Sequence, residues 1–149
     1  MVEVKELEDM FIINATNARN EWSSIVDSVI REKPKFIKRT RDYMFLAEIS
    51  LIENLLSAYH FSADEFIEED GSVTLSLNEI DLVENGKNKN EALFNMAKSI
   101  LDYSEDYYNE FSYWAAGNRK GHIPYVFKAL IINNVEKIGE LITCRPGKI

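Results

Sequence analysis

Six of the chain's 17 basic residues fall between positions 31 and 41: Arg31, Lys33, Lys35, Lys38, Arg39 and Arg41. Cationic side chains at that density hold phosphate by charge, and arginine adds a planar fork that reads base edges in a duplex groove. Arg19 joins them because it lies on the first turns of a predicted helix, whose free backbone N–H groups also attract anions. The chemistry expected of Arg19, Lys38, Arg39 and Arg41 is therefore contact with double-stranded DNA, the alternative being a solvated hairpin. A second concentration has the opposite sign. Between Asp102 and Trp114, the carboxylates of Asp102, Glu105, Asp106 and Glu110 are interleaved with Tyr103, Tyr107, Tyr108, Phe111, Tyr113 and Trp114. One helix face cannot carry six rings, so some must meet another element of the chain or a partner. Core packing is one account. The other is a docking surface for a basic protein, with aromatic anchors among carboxylates, built from Asp102, Glu105, Asp106, Tyr107, Tyr108, Phe111 and Trp114.

No catalytic constellation accompanies these clusters. His60 and His122 have no second histidine or cysteine at metal-ligand spacing. No serine occupies a G-x-S-x-G setting, and Gly71 directly after Asp70 breaks the spacing of a calcium loop. Neither a metal nor a cofactor is expected, and the chain does not read as an enzyme. A lone cysteine, Cys144, near an end expected to be mobile, cannot form an internal disulfide, so a cytoplasmic setting is expected. No run approaches the roughly 18 apolar residues that cross a bilayer. The acidic start, Glu3, Glu6, Glu8 and Asp9, argues against a signal peptide, so no membrane partner is expected.

The net charge of −8 averages two unlike halves, for beyond His60 there are 15 acids against nine bases. A basic island at the front and an acidic back imply one polyanionic and one basic partner. With 46% apolar residues the chain is expected to pack a core.

The elements that must position these residues follow from periodicity. Met10 to Asn14 reads as a strand, and Asn14 or Thr16 as a cap. Ala18, Trp22, Ile25, Val26 and Val29 recur at helical spacing over Ala15 to Glu32. Pro34 ends that helix. Phe36-Ile37 and Tyr43 to Ala47 read as two strands joined by a tight turn at Thr40 to Asp42. Ser50 with Glu53 forms a capping-box pattern ahead of Leu51, Ile52, Leu55, Leu56 and Tyr59. Farther on, Phe61 to Glu68 and the alternating Val73, Leu75 and Leu77 read as strands around the Asp70-Gly71 turn, and Asn85-Gly86 as a break. Asn88 with Glu91 opens a long helix to about Trp114. A loop at Gly117 to Gly121 and helices over Ile123 to Ile131 and Val135 to Ile142 complete the chain. The predicted class is α+β. A β-α-β-β-α unit over residues 1–60 precedes a mostly helical region with a small hairpin over residues 61–149.

The order of residues carries a resemblance. I13-N14-A15-T16-N17-A18-R19-N20-E21-W22-S23 resembles the opening of the Phd/YefM antitoxin family, roughly I-x-x-(T/S)-x-A-R-x-x-(F/L)-S. K33-P34-K35-F36-I37-K38-R39 is similar to that family's P-(I/V)-x-I-T-R strand, and M44 to E53 to its A-V-L-(V/M)-S-x-x-(E/D) ending. The resemblance covers about residues 10 to 58. It implies a homodimer that binds operator DNA through arginines at the positions of Arg19 and Arg39, represses its own operon and neutralises a cognate basic toxin of the RelE kind. Lys38 and Arg41 join that set by position and charge alone. Two departures stand out. The hairpin turn T40-R41-D42-Y43 lacks the family's usual glycine, and the long C-terminal half replaces a short tail. Within that half, G86 to K98 resembles the strand-turn-helix of HicB-type antitoxins. The competing reading is a homodimeric interaction or scaffold protein that keeps the antitoxin fold without binding DNA.

Overall fold

The structure is a computed structural model that describes residues 11–148; Met10, the expected start of the first strand, lies outside the described residues. Contacts divide the chain between Leu55 and Leu56, where the sequence put the division at residue 60.

In the first unit, strand β1 (Ile12–Asn14) runs into helix α1 (Ala15–Asn20) through Asn14, whose side chain accepts the Asn17 backbone N–H at 2.9 Å. The expected single helix to Glu32 is two: the chain leaves helical geometry at Glu21, with φ −113° and ψ 28°, before α2 (Trp22–Arg31). Strand β2 (Lys35–Arg39) pairs in parallel with β1 and antiparallel with β3 (Asp42–Leu46). Ala18, Ile25 and Val29 bury one helical stripe against Ile37, and these four form the unit's buried core. Thr40 is the first of two turn residues between the paired Arg39 and Asp42, and it has φ +57°. That is the position at which a type II′ turn normally takes glycine, so a β-branched residue stands in the place of the missing one. Helix α3 (Ile49–Leu55) starts one residue before the expected cap and ends short of Tyr59. The Ser50–Glu53 box does not form; the Glu48 carboxylate instead accepts the Ser50 N–H at 3.0 Å and also its hydroxyl.

The second unit holds a four-stranded sheet, larger than the hairpin expected. Strands β4 (Phe61–Ile67), β5 (Val73–Leu77) and β6 (Val83–Gly86) are successively antiparallel, and β7 (Ile142–Pro146) adds in parallel to the free side of β4. Asn85-Gly86 is thus strand rather than a break. A Cβ on Gly86 would stand 2.8 Å from Ala92 Cα, so only glycine lets β6 pass this close to the next helix. Cys144 lies within β7, paired with Ala63, and not in a loose end. Helix α4 (Lys89–Asn109) begins at Asn88, which accepts the Glu91 N–H at 2.9 Å as its capping signal requires. It stops at Asn109, short of Trp114. Helix α5 (Phe111–Trp114), a 3-10 turn over Gly117–His122, α6 (Ile123–Ile132) and α7 (Val135–Leu141) follow. Phe61, Ala63, Leu75 and Leu77 project from the sheet into one core with Ala92, Met96, Ile100, Ala129 and Ile138. The α+β class predicted from the sequence is the class observed. Among the described residues no helix is long and apolar enough to cross a membrane.

Candidate nucleic-acid interface

The end of β1, the start of α1 and the end of β2 meet at one edge of the first sheet. There Asn14, Ala15, Thr16, Arg19, Lys38, Arg39 and Thr40 line a solvent-open concavity of about 610 Å³. The register explains the meeting, because parallel pairing sets Asn14 beside Lys38, and the helix that Asn14 caps brings Arg19 over the same end. Arg19 and Arg39 are exposed. Lys38 is half-buried, and its ammonium lies 5.5 Å from the centre of the Tyr43 ring, its antiparallel partner. Arg41 is exposed in the turn and does not line the concavity. Three of the four candidate cations therefore share one rim. Asn14, Thr16 and Thr40 supply further hydrogen-bonding side chains there. Thr16 and Thr40 carried no signal beyond being polar residues at element ends. Splitting the expected long helix leaves α1 with six residues, which shortens its dipole, and Asn14 already takes one of its free N–H groups. Positive charge at this edge comes mainly from side chains.

A second concavity of about 380 Å³ adjoins it, lined by Ala15, Ala18, Arg19, Trp22, Ile37 and Met44. Trp22 is 50% exposed and Met44 49%. Phe45, also exposed, packs its ring 5.0 Å from that of Phe36 on the same sheet.

In the second unit, the acid-aromatic stretch divides. Asp102, Glu105 and Asp106 are exposed along α4. Tyr108 and Phe111 are also exposed, each with an edge against Phe127 of α6, at 6.2 and 5.8 Å between ring centres. Tyr107 is fully buried, with its hydroxyl donating to the Arg119 carbonyl at 2.7 Å, so it belongs to the core and not to an open surface. Burial also raises its phenol pKa above the ordinary value. Trp114 is half-buried. Its ring meets Tyr103 edge-on at 5.4 Å, and the Arg119 guanidinium lies 4.6 Å from its centre, so the chain's own cation covers it. Tyr103 in turn shares a 2.7 Å hydrogen bond with His122 Nδ1. Desolvation lowers the His122 pKa below its ordinary 6.5; the nearby Asp81 charge opposes that, and Arg119 adds to it.

The chain thus joins a small α/β unit that carries a cationic edge to a separately cored unit with an excess of acids. Comparison with known proteins specifies the class. A PHD-like family model, described as antitoxin of toxin–antitoxin, RelE/RelB, TA system, matches residues 10–144. The chain belongs to that antitoxin family. It is also similar to a crystal structure from Syntrophomonas wolfei subsp. wolfei, described as the antitoxin part of a proposed toxin/antitoxin system. The two share 32% identity at a TM-score of 0.86, over 93% of this chain and 100% of that one. No curated protein matches the chain.

Proposed function

We propose that this antitoxin is a homodimer of the Phd/YefM type that works in the cytoplasm, represses its own operon by binding operator DNA and neutralises a basic RelE-like toxin through its second unit. The observation carrying the DNA reading is the rim shared by Arg19, Lys38 and Arg39. Phosphate contacts fix a protein on a duplex, and one arginine in a groove suffices to read a base edge. Arg41, exposed one turn position away, supplies a further phosphate contact.

Dimerisation is supported by what the first unit leaves open. Trp22, Met44 and Phe45 remain exposed beside a core of four residues, too small to stabilise such a unit alone. The toxin reading is supported by the acidity of the second unit and by the exposed Asp102, Glu105, Asp106, Tyr108 and Phe111. The strand, turn and helix over 83–109 have the arrangement that similarity to HicB-type antitoxins implies, and they support that reading of the extension.

The deciding experiment is a gel shift on the chain's own promoter. Arg19→Ala with Arg39→Ala weakens binding by more than about tenfold without unfolding the protein, and wild-type binding falls steeply with salt as counterions are released. An unchanged affinity in a folded double variant removes the DNA role and leaves the scaffold reading.

A further inference from the structure

A groove of about 300 Å³ runs between the first half of α4 and α7, away from the Asp102–Trp114 stretch. Leu93, Phe94, Val135 and Gly139 line it, with Glu136 and Glu140 among its lining residues. Three features of this groove are not needed to pack the core. Phe94 is 52% exposed at its side. Gly139 sits inside a helix, where glycine is a poorer helix former than alanine. No tight approach demands glycine there: a Cβ would lie 3.7 Å from the Leu93 carbonyl oxygen and 3.8 Å from Ala97 Cβ, both ordinary contacts. The effect of that glycine is an open trough. Glu136 and Glu140 stand one helical turn apart, a spacing at which like charges destabilise the helix. Among the described residues neither carboxylate is in an ion pair, and no basic side chain lines the groove.

We propose that this groove receives an arginine or lysine side chain of the basic toxin. The methylene stem lies along Leu93, Phe94 and Val135, and the cationic head sits between the Glu136 and Glu140 carboxylates. A long basic side chain is the occupant that matches both surfaces, because its stem covers apolar area while its head pairs with acid. The proposal rests on the toxin-binding reading above and gives that interaction a specific anchor.

The test uses the full-length chain and the small basic protein encoded by the adjacent gene, with affinity measured by calorimetry after copurification. Gly139→Leu fills the trough, and Glu136→Lys with Glu140→Lys reverses its charge. Each weakens binding by about tenfold or more, the cost of losing a central anchor. Operator binding stays unchanged, and the Gly139→Leu melting temperature is equal to or above that of the wild type. Wild-type affinity in both variants overturns the groove while leaving the antitoxin reading intact. A lower melting temperature for Gly139→Leu, with full affinity in the charge-reversed variant, overturns it also, by making the glycine structural. Loss of self-association with toxin affinity retained assigns the groove to a second copy and overturns the proposal. A wild-type chain that does not bind the neighbouring protein removes the toxin reading and the groove together.

Discussion

The two units of this chain bury apolar side chains to very different degrees. In the second, Phe61, Leu75, Ile80, Met96, Ile100, Tyr107, Val126 and Ile138 are all but inaccessible, and sheet and helices share one core. In the first, the buried set is Ala18, Ile25, Val29 and Ile37, while Trp22, Ile30, Met44, Phe45, Ile49 and Leu55 are each more than two-fifths exposed. Folding free energy scales with apolar area removed from water, so the second unit has the means to stand alone. The first leaves much of its apolar surface outside, where the second copy proposed above would cover it. The contrast fits a division of labour, with one unit completed by assembly and the other a finished platform for a different partner.

Several measurements sharpen or break that contrast. The largest effect is expected in the second core: Leu75→Ala costs about 2–5 kcal/mol of unfolding free energy in chemical denaturation. A loss under about 1 kcal/mol would mean that this core is not the continuous one described. In the first unit, Met44→Asp places a charge on the exposed apolar face and converts the proposed dimer to a monomer in sedimentation velocity runs at micromolar concentration. Thermal melting carries the same distinction, since the first unit's transition rises with protein concentration and the second's does not. A concentration-independent first transition would make the first unit self-sufficient. Thr40→Gly relieves the left-handed turn residue and stabilises the first unit by about 1 kcal/mol, the gain from strain being partly offset by glycine's greater freedom in the unfolded chain. No gain in melting temperature would show the turn to be unstrained.

The smallest effect concerns His122. Its folded pKa lies below the unfolded 6.5, so the unfolded chain binds more protons between the two values. The second unit therefore loses stability as pH falls through 6.5 toward the folded pKa. His122→Gln flattens that part of the stability–pH curve, and an identical curve for the variant would remove the assignment.

Individual residues show which features could be read in the sequence. The helical stripe of Ala18, Ile25 and Val29 and the alternation of Val73, Leu75 and Leu77 mark buried faces because burial imposes the period of the element. Asn14 and Asn88 mark helix starts because capping is a contact between near neighbours. Arg19, Lys38 and Arg39 could be nominated by charge and resemblance, though their common rim could not be measured. Strand β7 escaped notice because Ile142–Pro146 has little alternation of its own and pairs with a strand some 80 positions earlier; Arg145 Nε meets Asp64 at 2.8 Å across that pairing. Gly86 inside a strand escaped for the same reason, because its place depends on the strand and helix opposite it.

From the sequence alone come the class of the fold, most of its helices and strands and the basic island near its front, which depend on local period, capping and composition, and the antitoxin resemblance, which depends on the order of matching residues. Only the tertiary structure decided which rings of Asp102 to Trp114 stay open, which cations share an edge and where α4 and α7 leave a groove. Exposure and proximity belong to pairs of distant residues, and a chain writes them down only once it has folded.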